Sequence, residues 1–537
     1  MKKYKILLIA LTFITFIKVN AQSWQWVKQG GSTSIDHVSK ICTDANDNIY
    51  AIGDFGFFFP PGGNMFFDND TAYQNGVNQL FLVKYTPSGT VAWVKSIGGN
   101  NSNSGNCNNC ENSYDLCFDA FSNSIYMTGK LYGQATFGST NLFGWGNMFL
   151  TKIDLNGNFI WAKLYGSITS QPYASISTDQ VGNVFLSGYT NDSLYFDNIG
   201  IPSGTFWSKL DGNGTALWAK IISVNAGSGK LFFIGNDIYS LFSTSNDTAW
   251  VDTLCFVSST PHNILLGKFN TAAGIESYKT FSSDSTNYLS ARMGLDSSNN
   301  IYLSGTFKHD IDLGDTSFLN SNIYDFFIAK YDLGFNLIWI KNGNDPMLAQ
   351  CVNISVANNG NTFLLCNTSI DGVFIAGFNS SGDSLGMVKI DMSGGTFSLG
   401  LTTIDNSENI IIAANFGSPT FTFGGTTFTN FGTDDVFIAK HDAITGIGGE
   451  GRIANNQLII YANPNAGKCN ITVPDDFIHE KNLALSIYDN TGKLIQQKTL
   501  EMNDGKIKLN LEAEAKGIYS VTLNNKKKSY NGKIIFE

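Results

Sequence analysis

Arginine is nearly absent from this 537-residue chain, which holds Arg292 and Arg452 and no other. Bidentate capture of a carboxylate takes several guanidinium groups, so a sialidase-like site is excluded. No Ser-X-Asp-X-Gly-X-Thr-Trp box is present either. Histidine is scarce: His37, His262, His309, His441 and His479 lie far apart, without the spacing of zinc ligands. No Gly-X-Ser-X-Gly elbow with a partnered histidine suggests a hydrolase. Charged residues make up 15% of the chain, against a norm of about 25%. Past the first 21 residues no apolar run approaches 18 residues, so no membrane-spanning helix is expected in the mature chain.

What is abundant is Gly (55) and Phe (41), a mix that suits short strands and tight turns better than helices. The net charge of -10 is unevenly spread. Residues 22–449 carry 18 Lys and Arg against 34 Asp and Glu, while residues 450–537 carry 12 against 10. Two charge regimes imply two domains. The acidity of the first argues against nucleic acid or anionic lipid as partner, since both need a basic surface. Met1-Lys2-Lys3-Tyr4-Lys5, the apolar run Ile6 to Ile17 and the small Ala21 read as a signal peptide, residues 1–21.

A phrase repeats through residues 22–449. Asn48-Ile49-Tyr50-Ala51-Ile52-Gly53 returns as Asn183-Val184-Phe185-Leu186-Ser187-Gly188 and Asn300-Ile301-Tyr302-Leu303-Ser304-Gly305. Weaker copies end at Phe242, Cys366 and Ala414, at a mean spacing of about 60 residues, which belongs to propeller blades. Each copy reads as four strands, the third like Phe327-Ile328-Ala329-Lys330-Tyr331-Asp332 and the fourth like Leu337-Ile338-Trp339-Ile340-Lys341. Trp93, Trp161, Trp218 and Trp339 occupy the fourth strand, whereas Trp26 stands alone at the start and the last phrase, ending at His441-Asp442, lacks its Trp. The expectation is a ring closed by residues 24–28 as the missing strand, which hides both open edges. The tryptophans are read as blade packing rather than a ligand platform. Two copies depart: Glu276-Ser277-Tyr278-Lys279 and Leu385-Gly386-Met387-Val388-Lys389 have no Trp.

The Phe-Gly-X-Thr, Phe-Ile-Ala-Lys-Tyr-Asp and Trp-X-Lys elements resemble the bacterial seven-bladed β-propeller repeat family of secreted proteins. That resemblance implies a shape and no particular activity. The tail is more specific. Tyr461-Ala462-Asn463-Pro464-Asn465-Ala466-Gly467, Leu485 to Lys493 with Tyr488, Gly492 and Lys493, Gly517-Ile518-Tyr519, and Lys533 to Glu537 follow in order. They resemble the type A C-terminal sorting domain of the type IX secretion system of Bacteroidetes, with Ala462 in place of the first proline. The resemblance implies that residues 458–537, after a linker 450–457, engage that secretion machinery and carry the protein across the outer membrane. The tail's alternating segments read as a small immunoglobulin-like β-sandwich.

Little else points to chemistry. Asp44-Asn46-Asn48 and Asp154-Asn156-Asn158 offer oxygens to Ca²⁺ but lack the Glu that closes an EF-hand, so turn chemistry is preferred and no cofactor is expected. A quinone cofactor is disfavoured because the chain has no adjacent Cys pair. Cys42 and Cys117 fall where other copies have Ser177, Gly294 and Thr403, a slot for small side chains. Cys107 and Cys110, in an Asn/Gly-rich insertion of an exported protein, are expected to form a loop-stapling disulfide. Asp-Ser/Thr-X triplets at Asp70, Asp192, Asp247, Asp252 and Asp383 look like O-glycosylation sites.

The reading is an exported, all-β protein: a seven-bladed propeller over 22–449 acting as a non-catalytic binding module for an extracellular carbohydrate or protein. The alternative is a carbohydrate-active enzyme with acidic residues at the channel mouth. A chain ending at Glu450 is expected to stay in the periplasm. Fractionating cultures that express the full and shortened chains checks this, and equal secretion of both would contradict it.

Overall fold

The computed structural model describes residues 23–536 apart from 57–62, 76–78, 99–111, 167–171, 225–226, 245–247, 258–262, 284–288, 309–310, 314–316, 319–323, 343–348, 369–371, 391, 394–399, 445–457, 462–464, 474–476, 478–481, 490–492, 502–504 and 526–528. The expected signal peptide and the Cys107–Cys110 pair lie outside the described residues. The structure is all-β, and no α-helix occurs among the described residues. Two units form, Met1–Arg452 and Ile453–Glu537.

The repeated apolar phrases become strands buried on both faces. Ile49–Phe55 and Gln79–Tyr85 are buried at nearly every position, whereas the outer strand Val91–Ile97 is mostly half-buried. That difference explains why the inner phrases run apolar and the Trp-X-Lys strands do not. His37–Thr43, Ile49–Phe55, Gln79–Tyr85 and Val91–Ile97 make the first four-stranded antiparallel meander. Asn112–Asp119, Ser124–Phe137, Thr140–Asp154 and Phe159–Tyr165 make the second. Tyr173–Thr178, Val184–Thr190, Gly204–Leu210 and Ala216–Val224 make the third. Gly227–Ser228, Asp237–Thr244, Asn263–Phe269 and Ile275–Ser283 follow, then Leu289–Leu295, Ile301–Lys308, Tyr324–Tyr331 and Leu337–Asn342. After Ala349–Val356, Thr362–Thr368, Gly372–Phe378 and Ser384–Ile390, the last sheet has Leu401–Ile404, Ile410–Phe416 and Asp435–His441. Its next strand comes from the other end of the chain. Trp24–Gly31 pairs with Asp435–His441, placing Trp26 opposite Lys440 and Gln29 opposite Phe437.

At five junctions the first strands of neighbouring sheets touch, and His37–Thr43 touches both Asn112–Asp119 and Leu401–Ile404. Thr43 Oγ1 donates to Ile404 O (3.0 Å) and Asn406 Nδ2 to Ala45 O (3.1 Å), so the first and last sheets are joined at their inner strands. Between strands two and three runs a hairpin that the sequence marks by Phe-Gly-X-Thr. Met65–Phe67 pairs with Trp24–Gly31, Thr248–Val251 with Ala216–Val224, and Ile311–Asp312 with Ile275–Ser283. Each hairpin thus covers the outer edge of the preceding sheet, removing a row of open backbone groups.

The side chains that bind sheet to sheet lie in rows. Cys42, Tyr50, Lys84 and Trp93 are successive cross-strand partners, as are Cys117, Tyr126, Lys152 and Trp161. Trp93 Nε1 donates to Leu155 O (3.2 Å) in the turn before the next sheet's last strand, and Lys84 Nζ donates to the same oxygen (2.9 Å). Trp339 Nε1 and Lys330 Nζ converge likewise on Ser380 O, at 3.0 and 3.1 Å. The turn makes room with a left-handed residue: Gly382 has φ +82, and a Cβ there would lie 2.8 Å from the Trp339 ring.

The two departures from the Trp repeat are compensated from the following repeat of the same chain. Ser277 stands opposite Lys268, where Trp93 stands opposite Lys84. In the following turn the glycine is replaced by Phe335, at φ 63, which a bulky residue adopts only when something holds it there. Its ring lies 6.1 Å from Tyr239, matching the 6.0 Å from Trp93 to Tyr50 and from Trp339 to Tyr302. Gly386 fills the Trp position opposite Gly377. There the buried Ile444 packs against Gly377, its Cγ2 3.4 Å from where a Cβ would sit.

In the second unit Ile459–Tyr461, Lys468–Thr472 and Lys506–Asn510 form one sheet. Leu494–Leu500, Leu483–Tyr488, Gly517–Asn524 and Ser529–Phe536 form the other. A single apolar core that includes Ile471, Leu485, Val521 and Ile534 joins them.

Phe335→Ala should destabilise the protein by about 3–5 kcal/mol, the cost of emptying a buried aromatic site. Combining S277W with F335G should recover most of that loss, because it rebuilds the arrangement of Trp339 and Gly382. Thermal denaturation of both variants tests it. A double variant no more stable than F335A would show that Phe335 is not standing in for the missing tryptophan.

Candidate functional site

Each meander has two ends, and chemistry-bearing residues divide between them. At the turn end, Asp44 and its equivalents are consumed by their own loops. Asp44 Oδ1 accepts from the backbone N–H of Asn46 (2.9 Å) and Asn48 (3.0 Å), and Oδ2 accepts from Tyr50 OH (2.9 Å). Asp154 accepts from the N–H of Asn156 (2.9 Å) and Asn158 (2.8 Å) and from Asn158 Nδ2 (2.8 Å). These are Asx turns, and their oxygens point at donors rather than at a shared cation. No group of three or more His, Cys, Asp or Glu placed to hold a metal occurs among the described residues. Trp26, Trp93, Trp161, Trp218 and Trp339 are half-buried at this end. Trp26 Nε1 donates to Pro87 O (3.1 Å), Trp161 Nε1 to Gly212 O (3.2 Å), and Trp218 packs on Phe185 at 6.1 Å.

At the opposite end, where one sheet passes to the next, acidic residues gather at the seam between the first and last sheets. Asp36 is fully buried and accepts from Ser32 N (2.5 Å), Ser32 Oγ (2.7 Å) and Gly56 N (3.3 Å). Burial pushes its carboxyl up from 3.8 to about 7, helped by the nearby Asp435. Asp435, also fully buried, accepts at Oδ2 from Gln29 Nε2 (2.5 Å) and Phe431 N (2.9 Å). Among the described residues its Oδ1 finds no donor, and burial raises the carboxyl to about 6. Above this pair, His37 Nδ1 lies 3.6 Å from Asp54 and its Nε2 lies 4.0 Å from Asp434. The hydrogen bond that His37 donates to Asp54 holds the imidazole pKa above its ordinary value. Through Gln29 and Ser32 the buried pair ties the strand Trp24–Gly31 into the seam.

The same end of the second and third sheets carries aromatics. Tyr173 and Tyr189 are cross-strand partners with ring centroids 6.2 Å apart, and they are 53% and 42% exposed. Tyr114 meets Tyr173 edge-on at 6.5 Å. Beneath them the buried Asp115 is held by Lys40 Nζ (3.2 Å) and by the N–H of Ile176 (2.8 Å). The second sheet's central hairpin is longer than its counterparts, with strands Ser124–Phe137 and Thr140–Asp154. It carries Lys130 Nζ 4.7 Å from the Tyr132 ring, and Phe143 and Trp145 in edge contact at 5.4 Å, 56% and 58% exposed. Sequence reading passed over these residues because Tyr173 and Tyr189 are 16 positions apart. Two signals were available: aromatics at i and i+2 in Phe143-Gly144-Trp145, and an unbroken extension between the second and third phrases.

Cys42 and Cys117 sit on inner strands opposite Tyr50 and Tyr126. Burial pushes the Cys42 thiol up to about 12 and the Cys117 thiol well above its usual value, which makes both poor nucleophiles. Ser193 and Thr253 of the Asp-Ser/Thr-X triplets are exposed. In the tail, Asn463, Pro464 and Gly492 lie outside the described residues. Gly467 N donates to Asn465 Oδ1 (2.8 Å) and Gly467 O accepts from Leu511 N (2.6 Å). Tyr488 is half-buried opposite Ser520, Lys493 N donates to Asp489 Oδ1 (3.0 Å), and Gly517 opens the strand in which Tyr519 OH donates to Ala515 O. Lys533 is exposed opposite Ser520.

Residues 459–537 match the secretion system C-terminal sorting domain. This is the sorting domain of the type IX system, which indicates export to the cell surface or the extracellular space. Among the described residues no helix is long and apolar enough to cross a membrane. A WD repeat-containing protein of Acanthamoeba polyphaga mimivirus is 24% identical over 429 residues, covering 63% of this chain and 30% of the relative. The chain therefore spans less than a third of that protein. Among solved structures, the extracellular domain of a putative one component system from B. thetaiotaomicron aligns over 95% of this chain and 98% of its own, at 11% identity and TM-score 0.24. Rhamnogalacturonan lyase YesW aligns over 94% and 90%, at 8% identity and TM-score 0.28. A GH43 protein of Bacillus licheniformis aligns over 79% and 96%, at 8% identity and TM-score 0.29. All three TM-scores lie below 0.5.

The seam carboxyl gives a signed pH dependence. A group that holds its proton more tightly when folded contributes stability below its unfolded value, here 3.8, and loses it as pH rises to the folded value of about 7. Asp36→Asn keeps the hydrogen-bonding shape without the proton. The Tm of D36N relative to the native chain should therefore climb between about pH 4 and pH 7 and level off above. A difference that stays flat over that range would show that Asp36 titrates normally.

Proposed function

We propose that residues 22–449 form a closed seven-bladed β-propeller that binds a neutral saccharide on the rim of one face. On this reading residues 458–537 are an immunoglobulin-like sorting domain that delivers it outside the cell. Seven sheets read as blades, and the contacts of His37–Thr43 with both the second and the last support a closed ring. The observation that carries the binding reading is the exposed Tyr173–Tyr189 pair backed by Tyr114. Flat rings with a hydroxyl at the edge suit the apolar face and the hydroxyls of a sugar, and a rigid scaffold holds them in place. The acidic domain, with 34 Asp and Glu against 18 Lys and Arg over 22–449, disfavours an anionic glycan. Carboxylate catalysis has less to draw on. Asp36 and Asp435 are buried, and Asp54 and Asp434 hold His37 between them.

A glycan array probed with the mature protein is expected to return neutral oligosaccharides. Tyr173→Ala and Tyr189→Ala should each weaken binding about tenfold or more, the loss of roughly 1.4 kcal/mol expected of an aromatic anchor. Undiminished binding in both variants would remove the rim as the site. Cleavage of the bound glycan that is lost in Asp54→Asn or Asp434→Asn would favour the enzyme reading instead.

A further inference from the structure

Two cysteines outside the rim face each other across a strand pair. Ala349–Val356 and Thr362–Thr368 run antiparallel with Cys351 directly opposite Cys366. Cross-strand partners have Cα atoms about 4.5–5.5 Å apart, inside the roughly 4.4–6.8 Å that a disulfide spans. Both side chains are buried, at 7% and 0% exposure, so the thiols are confined to one another's company. The two thiols are near enough for each to shift the other's hold on its proton. Ser304 Oγ lies 3.4 Å from Cys351 Sγ, and the register slips at Cys351, giving the strand local freedom to adjust. The other paired-strand thiols among the described residues face no cysteine: Cys42 lies opposite Tyr50, Cys117 opposite Tyr126, Cys255 opposite Trp250 and Cys469 opposite Leu509.

Chemistry also distinguishes the two sulfurs. The hydrogen bond from Cys366, the Ser304 hydroxyl and the Arg292 guanidinium hold Cys351 below the usual thiol value, while burial drives Cys366 well above it. The compartment supplies the remaining condition, because the sorting domain indicates export and exported proteins meet oxidising surroundings.

We propose that Cys351 and Cys366 are joined in the exported protein by a cross-strand disulfide that staples the two inner strands of the sixth sheet. The oxidant is a disulfide donor, protein-borne or of low molecular weight. One of the two cysteines, as its thiolate, attacks one donor sulfur, forming a mixed disulfide and expelling the other as a thiolate. The second cysteine then loses its proton and attacks the protein sulfur of that mixed disulfide, expelling the second donor sulfur. Two protein thiols are oxidised, one donor disulfide is reduced to two thiols, and the two protons pass to the departing sulfurs. Thr306 Oγ1 accepts from Cys351 N (2.9 Å), so the fifth sheet covers the site and the donor reaches the pair before those two sheets dock.

The mature protein collected from culture medium, denatured without reductant, blocked with iodoacetamide and digested, gives the test. Mass spectrometry should find the peptides of Cys351 and Cys366 linked, separating only after reduction, with Cys42 and Cys117 alkylated. Alkylation of both Cys351 and Cys366 without reductant would overturn the proposal, as would a link from either to a different cysteine. A second reading uses melting. Reductant should lower the Tm of the native chain by about 5 °C more than that of C351A/C366A, since a bond lost from the native chain is already missing in the variant. Equal shifts in the two proteins would count against the staple. If the variant fails to fold, the peptide map of the native chain decides alone.

Discussion

A single backbone carbonyl in the turn before a sheet's last strand receives both polar groups of the preceding sheet's aromatic row. Pro87 O takes Trp26 Nε1 (3.1 Å) and Lys440 Nζ (3.2 Å), as Leu155 O and Ser380 O do from their own neighbours. A carbonyl has two lone pairs, and a half-buried ammonium must find an acceptor, so one oxygen answers two demands. The lysines gain further from ring faces: Lys84 lies 5.2 Å from Tyr50 and Lys330 lies 5.1 Å from Tyr302. At Lys440 the ring gives way to a carboxylate, and its bond to Asp405 Oδ2 (2.8 Å) is buried on both sides. Turn geometry, strand register and sheet spacing are all fixed by this one meeting point. The Asx loop presents the oxygen, and the left-handed residue clears the space the indole fills.

Much of this was legible because the row is written in the sequence as Trp-X-Lys after a turn with Gly. The absence of Trp from Glu276–Lys279 and from Leu385–Lys389 was equally visible, but its remedy was not. Phe335 lies 58 positions after Ser277 and 58 separates Gly386 from Ile444, so each filler belongs to the following sheet and only packing brings it near. The hairpins were visible as segments between phrases, yet their role in covering the previous sheet's edge depends on a neighbour supplied by a different repeat. The rim aromatics failed for the same reason. Tyr173 and Tyr189 sit in separate phrases with no shared motif, and their pairing follows from register alone. Buried Asp36 carried no signal at all, because an aspartate beside a histidine near an N-terminus is an ordinary surface pattern.

The seam and the rim share one end of the meanders and impose opposite requirements on it. Asp36 and Asp435 must be shielded from water to hold their protons, while Tyr173 and Tyr189 must stay open. Between them, Ser39 and Ser113 hydroxyls meet at 2.9 Å and Lys40 reaches Asp115, so the polar groups separating the two regions are paired. Lys40 gains from this as well, its pKa lifted by the Asp115 carboxylate. An acidic protein thus spends its few lysines on internal partners and leaves its exposed rings uncharged.

The strand Trp24–Gly31 meets Asp435–His441 across more than 400 positions, with Ser23 N donating to Asp442 Oδ2 (3.1 Å) at a separation of 419. Neighbouring strands within a meander are about 20 positions apart. Closing the longer loop costs about 3 kcal/mol more in chain entropy, if the intervening chain is flexible. The cost falls once the intervening sheets have stacked, because they carry the last edge toward the first. The earliest strand in the sequence is therefore the last to find its partner. Until it does, Asp435–His441 presents a bare edge open to pairing with another copy of the chain.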